Sequence, residues 1–379
     1  MPLAFQLLHT PPGTKARLGR LLTPHGEVET PAFMPVGTQA TVKGLSPNEL
    51  RETGCQILLA NAFHLYLRPG HELIGRLGGL HRFMGWEGPI LTDSGGYQLF
   101  SMAPLLRVED EGVRFQSHLD GSPHFLTPEK AVEVQEALGA DIIMALDQPL
   151  AFPATEDEAR DAVERTSRWG RRCREVHRGG NCALFGIVQG GTYRGLRERS
   201  AREVVALDFP GYAVGGLSLG EAKSLTYELL DHTTDLLPEG APRYAMGLGT
   251  PEDLVRCALR GADLFDCVIP TRHARTGCLY TRGGRLMIKH ARFREDERPL
   301  DPACSCYTCR HFSRAYLRHL FLSDEMLGLR LNTVHNLHYY QELLARLRRA
   351  VGEGRLGPFL EGFEAEARAQ AVDNGEGFC

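Results

Sequence analysis

The strongest constraint on the fold of this chain is a repeated unit. Eight short β-rich runs, each ending near Gly, Asn, Asp or Gln, are separated by stretches of helical periodicity: "PAFMPVG", "QILLANAF", "PILTDSG", "DIIMALDQ", "LFGIVQGG", "YAVGGL", "YAMGLGT" and "LFDCVIPT". Strand alternating with helix implies parallel strands, and eight such strands close a (β/α)8 barrel of the TIM type. Helix starts are marked by Ser46, Thr127, Thr155 and Thr250, each followed by acids in the first turn and three of them by proline; this pattern satisfies the free amides of a first turn.

Three segments fall outside the repeat. The first thirty residues read as short strands capping the barrel. Between the third and fourth runs, "GVRFQSHLDGSPHFL" alternates around Asp120-Gly121 and reads as a β-hairpin insertion. After the eighth run, the chain passes through a basic stretch and a cysteine cluster to a helix with Leu337, Tyr340, Leu344 and Leu347 on one face. The expected division is residues 1–30, a barrel over 31–276, a basic zinc-binding subdomain over 277–335, and a C-terminal helix within 336–379 that completes the barrel.

Composition matters here only where it is uneven. The net charge of the 379 residues is −4, yet from Val268 to Arg294 there are Arg272, Arg275, Arg282, Arg285, Lys289, Arg292 and Arg294 and no acid. Such a stretch suits a polyanion. No run approaches the roughly 20 apolar residues that cross a bilayer, and the N-terminus has no basic-then-apolar leader; the expectation is a cytoplasmic protein without a membrane partner.

Of the ten cysteines, Cys304, Cys306 and Cys309 lie together in "DPACSCYTCRHF". Three thiolates need one more ligand for a tetrahedral site with no open position, the pattern of a structural zinc. His335 and His338, expected at the start of the last helix, both qualify on spacing.

In a parallel barrel, chemistry sits at the C-terminal strand ends. That places Asn61, Asp93, Asp147, Gln189, Gly215, Gly216, Met246, Gly247 and Asp266 at one mouth. An aspartate at a strand end is commonly a turn residue, but three at one mouth are costly without a task. Two carboxylates there suit displacement at a glycosidic carbon, one as nucleophile and one as acid/base, with net retention. A retaining glycosidase is one reading. With only two tryptophans the chain is poor in sugar-stacking surfaces, whereas Gly, Gln and Asp suit the edge of a flat base. A non-catalytic zinc RNA-binding protein is another reading, in which the carboxylates have no use.

The motifs "TPHGEVETPAFMPVGT", "LTDSGGYQLFS", "GIVQGG", "AVGGLSLGE", "YAMGLGTPEDL", "LFDCVIPTRHARTG" and the Cys-x-Cys-x-x-Cys site followed by "HNLHYY" closely resemble the bacterial tRNA-guanine transglycosylases, the queuine tRNA-ribosyltransferase family. The resemblance spans nearly the whole chain. It implies exchange of the wobble guanine in GUN-anticodon tRNAs for 7-aminomethyl-7-deazaguanine (preQ1) during queuosine biosynthesis. Carried over by motif, Asp266 is the nucleophile toward the ribose anomeric carbon and Asp93 the general acid/base. Asp147, Gln189 and Gly216 match base-recognition positions, and Leu217 offers a carbonyl to the base substituent. Tyr97 and Met246 match the two sides of a stacking slot, and Arg272 and Arg275 grip the anticodon loop. The zinc ligands become Cys304, Cys306, Cys309 and His335, with one Zn2+ per subunit of a homodimer that binds a tRNA anticodon loop and the free bases guanine and preQ1.

Two details refine this expectation. Leu219 stands where eukaryotic relatives have glycine, which should exclude the bulkier queuine; Leu217 and Glu221 are placed to receive an aminomethyl group. "DQPLAF" departs from the usual Asp-Glu-Cys-Thr-Pro, so Pro149 replaces a cysteine beside the base. Basic neighbours such as Arg272 are expected to hold the Asp266 pKa down, and desolvation to suit Asp93.

Overall fold

The computed structural model describes residues 3–102 and 106–372. The chain divides into two compact units. The first is formed by residues up to Ala40, Gln56–Leu248 and Arg256–Asp266; the second by Thr41–Cys55, Gly249–Val255 and Cys267 onward.

The first unit contains a closed barrel of eight strands in sequence order: β1 Ala32–Gly37, β2 Leu58–Ala60, β3 Ile90–Thr92, β4 Ile142–Met144, β5 Ala183–Val188, β6 Tyr212–Val214, β7 Arg243–Ala245 and β8 Leu264–Cys267. Every expected run supplies one strand. Neighbours pair in parallel, for example Gly186 with Tyr212 and Leu58 with Ile90, and the Ala32 amide reaches the Asp263 carbonyl at 2.8 Å where the sheet closes. β3 to β6 are buried along their whole length, because a parallel sheet is covered on both faces. That burial is why these runs read as continuous apolar segments, each large side chain contributing about 1.5–3 kcal/mol.

The four helix-start signals operate as read. Ser46 and Thr155 form complete capping boxes with Glu49 and Glu158. Thr127 accepts the Lys130 amide, and the Thr250 hydroxyl and Asp253 carboxylate each accept the other's backbone N–H at 3.1 Å. Strands Ala4–His9, Leu18–Thr23 and Gly26–Thr30 form the N-terminal antiparallel sheet. The insertion after β3 is an antiparallel sheet of Arg107–Val108, Val113–Gln116 and Pro123–Leu126. Gln116 pairs with Pro123, so residues 117–122 form the turn and Asp120-Gly121 is only part of it.

In the second unit, the hairpin Cys278–Thr281/Gly284–Met287 packs with helices Tyr307–His311, Arg314–Leu322 and Met326–Gly352 around a core that includes Leu279, Ile288, Leu300, Leu317 and Leu331. The long helix begins at Met326, not beside His335 as expected. Its N-cap, Glu325, makes no side-chain capping bond, so the usual start signal is missing from the sequence. Leu337, Tyr340, Leu344 and Leu347 are all fully buried on it. No helix among the described residues is long and apolar enough to cross a membrane.

Candidate active site and metal centre

All of the strand-end residues lie at or just beyond the C-terminal ends of β2 to β8, so the parallel sheet brings them to one mouth. Asp93 follows β3 directly and is 8% exposed. Its carboxylate accepts the Asn61 side-chain amide, the Ala62 N–H at 2.9 Å and the Gln98 side-chain amide at 2.9 Å. Burial pushes its pKa up to about 6 despite those three donors, and the negative charge of Asp266 adds to the rise. A carboxyl in that range carries or releases a proton near neutrality.

Asp266, within β8, accepts the Tyr244 hydroxyl at 2.6 Å and the Gly247 N–H at 2.7 Å. Burial raises its pKa, against the pull of these two donors. This corrects the expectation of a depressed pKa: the groups that favour the ionised form are a phenol and a backbone amide, since neutral donors close to the oxygens replace the hydration that burial removes. Asp93 and Asp266 thus face each other electrostatically in different surroundings.

Asp147, three residues beyond β4, accepts the Gln189 side-chain amide at 2.6 Å and the Ser94 hydroxyl at 3.4 Å. Burial carries its pKa to about 6. Glycine permits this packing. A Cβ at Gly96 would lie 2.8 Å from the Asp147 carboxylate, and one at Gly215 would lie 2.7 Å from the Gln189 amide nitrogen. Gly216 has φ +68° and a Cβ there would collide with the Gln189 side-chain oxygen, so both conformation and space exclude a side chain.

Tyr97 is 57% exposed on helix Gly96–Met102, Met246 directly follows β7 and is half-buried, and Leu217 is buried. In the second unit, Arg272 is exposed on helix Ile269–Arg275, while half-buried Arg275 donates to the Thr271 carbonyl at 2.8 Å. Arg282 pairs with Glu342; Arg285 is half-buried on the hairpin's second strand, and Lys289, just beyond it, is exposed.

Sequence reasoning missed Arg197. It is completely buried on helix Arg194–Val205 and donates to the carbonyls of Gly191 at 2.8 Å and of Gly215 and Gly216 at 3.2 Å. Burial draws its pKa down to about 10. It ties the turns after β5 and β6 together, and no local pattern in the sequence signals this, because its acceptors are carbonyls of two separate loops.

Cys304, Cys306, Cys309 and His335 converge, with all four ligand atoms within 4.8 Å of one another. His335 Nδ1 lies 3.8, 3.6 and 3.3 Å from the three sulfurs in chain order. Its Nε2 is 2.7 Å from the Tyr280 carbonyl; an N–H donated there leaves Nδ1 free to ligate. His338 instead meets Ser305 at 3.3 Å, so the fold selects His335. Hydrogen bonds from Cys304 and Cys309 draw the Cys306 thiol down to about 4, whereas the Cys309 thiol is driven upward. Three sulfurs and one imidazole nitrogen gathered this closely form a donor set that could hold a metal ion.

A family model described as queuine tRNA-ribosyltransferase matches residues 13–369. Proteins named queuine tRNA-ribosyltransferase are similar along nearly the whole chain. That of Pelotomaculum thermopropionicum is 58% identical over 363 residues, covering 96% of this chain and 98% of its own length. That of Moorella thermoacetica is 57% identical over 354 residues, covering 93% and 95%, and that of Geobacillus thermodenitrificans is 55% identical over 363 residues, covering 96% of both.

Proposed function

The chain belongs to the queuine tRNA-ribosyltransferase family, and from that premise we propose that it replaces the wobble guanine of tRNA with 7-aminomethyl-7-deazaguanine through a ribosyl-aspartate intermediate on Asp266. The reaction class, a pentosyl transfer by tRNA-guanine transglycosylation in queuosine biosynthesis, follows from family membership. The single observation supporting the proposed chemistry is the pair of carboxyls Asp93 and Asp266 at one mouth, held by different donors.

The wobble base leaves the anticodon loop, at a cost of a few kcal/mol that is smallest for a single-stranded base. Asp147 accepts from the guanine donors N1–H and N2–H, Gly216 N–H and the Gln189 amide face its acceptors, and Tyr97 and Met246 flank its plane. The Asp266 carboxylate attacks the ribose C1′. The C1′–N9 bond breaks, its electron pair passes to the base, and Asp93 supplies the proton with which guanine departs. The incoming base then gives its N9 proton to the Asp93 carboxylate and attacks C1′, the C1′–oxygen bond to Asp266 breaks, and configuration is retained. Asp93 ends the cycle protonated, as it began. A pKa near 6 suits a group that must do both.

Cys304, Cys306, Cys309 and His335 would hold one Zn2+ per subunit. Three sulfurs and one nitrogen close a tetrahedron, so the metal would supply folding energy to the second unit and no chemistry at the mouth. Arg272, Arg275, Arg285 and Lys289 offer the phosphate contacts for the anticodon loop, and the working enzyme is a cytoplasmic homodimer. Leu219 restricts the substituent on the incoming base, with the Leu217 carbonyl and Glu221 available to an ammonium. Glu221 is ionised below its usual range: burial acts upward, but the Thr226 hydroxyl and the Ser218 and Leu219 amides outweigh it.

The reading is tested by incubating the enzyme with tRNA without replacement base and resolving the products on a denaturing gel. A covalent protein–RNA adduct is expected for the native enzyme and none for Asp266→Asn; an adduct that survives this substitution removes Asp266 from the nucleophile's role.

A further inference from the structure

The segment 148–154, "QPLAFPA", is where this chain departs from its family's usual residues beside the base, and the chemistry above leaves it unused. It folds over a small cavity whose walls include Phe152, Gln189, Gly216, Leu219 and Glu221. Gln189 and Gly216, two of the groups that would read the base, thus form part of its wall. Its volume is about 20 Å3, while one water requires roughly 10–15 Å3 on the same scale. There is room for a group of one or two heavy atoms.

Phe152 closes it. The ring stands against Gly220, where an added Cβ would lie 3.3 Å from the ring carbon Cδ1, and Gly220 adjoins Leu219. The two loops thus meet at Phe152 and Gly220, next to Leu219, which also lines the chamber. Both ends of the Phe152 segment are fixed: the Gln148 amide donates to the Thr166 hydroxyl at 3.0 Å, Arg165 donates to the Gln148 side chain at 2.5 Å, and Tyr193 donates to the Ala154 carbonyl at 2.9 Å. Phe152 is nonetheless 43% exposed.

We infer that Phe152 is a specificity-determining residue, closing together with Leu219 the chamber that receives the 7-substituent of the incoming base. This rests on the exchange reaction proposed above. An aminomethyl group fits the space; a substituent that carries a ring requires the Phe152 wall to open, whatever stands at position 219. Leu219 is thus half of the barrier.

The test compares kcat/KM for free preQ1 and free queuine, with guanine-labelled tRNA, in the native enzyme and in Phe152→Ala, Phe152→Leu, Leu219→Gly and the double variant Phe152→Ala/Leu219→Gly. The ratio of the two bases is read within each variant, so a general loss of folded enzyme cancels. Phe152→Ala should raise the queuine-to-preQ1 ratio about 10-fold or more, the scale set by removing bulk from a pocket wall. The double variant should raise it further, and Phe152→Leu should stay near the native ratio. An unmoved ratio in Phe152→Ala, with Leu219→Gly alone giving the full change, overturns the inference. If the native enzyme released no labelled guanine with either base, it would be the exchange reaction that had failed, a result distinct from a misassigned wall.

Discussion

Asp141 and Asp147 bracket the same strand, β4, and are almost equally buried at 1% and 4% exposure, yet their carboxyls behave in opposite ways. Asp141, at the N-terminal end, is held below the usual carboxylate range: burial acts upward but is outweighed by His81, His25 and the Ile90 N–H. Its two oxygens take His25 Nδ1 at 2.8 Å and His81 Nε2 at 3.1 Å, from imidazoles stacked with centroids 3.5 Å apart, and the Ile90 amide donates at 2.8 Å. Asp147, at the C-terminal end, has the Gln189 amide, the Ser94 hydroxyl and its own backbone N–H as donors and no imidazole, and burial carries it to about 6. One end of the barrel uses its carboxylate to hold elements together. The other end surrounds its carboxylate with neutral donors alone, which burial outweighs, and this suits the base-reading role proposed for it.

The sharpest way to break this comparison is to remove one charge at each end. Asp147→Asn should lower kcat/KM for guanine exchange about 10^3-fold, since a base-reading site that loses its acceptor leaves the donors of the base unpaired. Asp141→Asn should instead cost about 3 kcal/mol of stability, because it breaks a buried charge-assisted cluster, with a far smaller loss of kcat/KM. Urea denaturation beside steady-state kinetics reads both, and equal kinetic losses at the two ends would erase the distinction.

A smaller effect sharpens it through pH. A buried aspartate whose folded pKa is raised from 3.8 to about 6 binds protons more tightly folded than unfolded, so its contribution to stability is present below pH 4 and lost as pH rises to about 6. Asp141, with its pKa lowered, has the opposite sign and loses its contribution as pH falls through its folded pKa. The stability of Asp147→Asn relative to the native protein should therefore rise by roughly 2 kcal/mol between pH 4 and pH 7. A difference that stays flat across this range would show that Asp147 is not strained in the free enzyme.

The smallest expected effect concerns the support beneath the open end. Arg197→Lys keeps the charge but cannot reach three carbonyls with a planar fork. The KM for guanine should rise about 10-fold with kcat little changed, while Arg197→Met should lose stability as well. A kcat loss without a KM change would mean that Arg197 acts on the reacting carboxyls and not on the base-reading turns.

Much of this protein was legible in its residues because the signals are local. Eight runs with strand periodicity, four capped helix starts and a Cys-x-Cys-x-x-Cys spacing are all written within a few consecutive residues, and the barrel, the caps and the convergence of the cysteines follow from them. The helix that begins at Met326 was not legible, for it starts without a capping side chain. Neither was Arg197, whose partners belong to two other loops.

By itself, then, the sequence determined the barrel, the mouth where its polar strand ends gather and the Cys-x-Cys-x-x-Cys cluster, because hydrophobic period and residue spacing act over short distances along the chain, and the family resemblance added His335. Only the tertiary structure decided how burial and donors move each aspartate's pKa and that Phe152 stands against Gly220, while it brings to the three cysteines the histidine that the resemblance implied, His335. Each of those depends on burial and on partners distant in sequence. A carboxyl's proton affinity is set by the water it loses and the donors that replace it, and neither is encoded in the residues beside it.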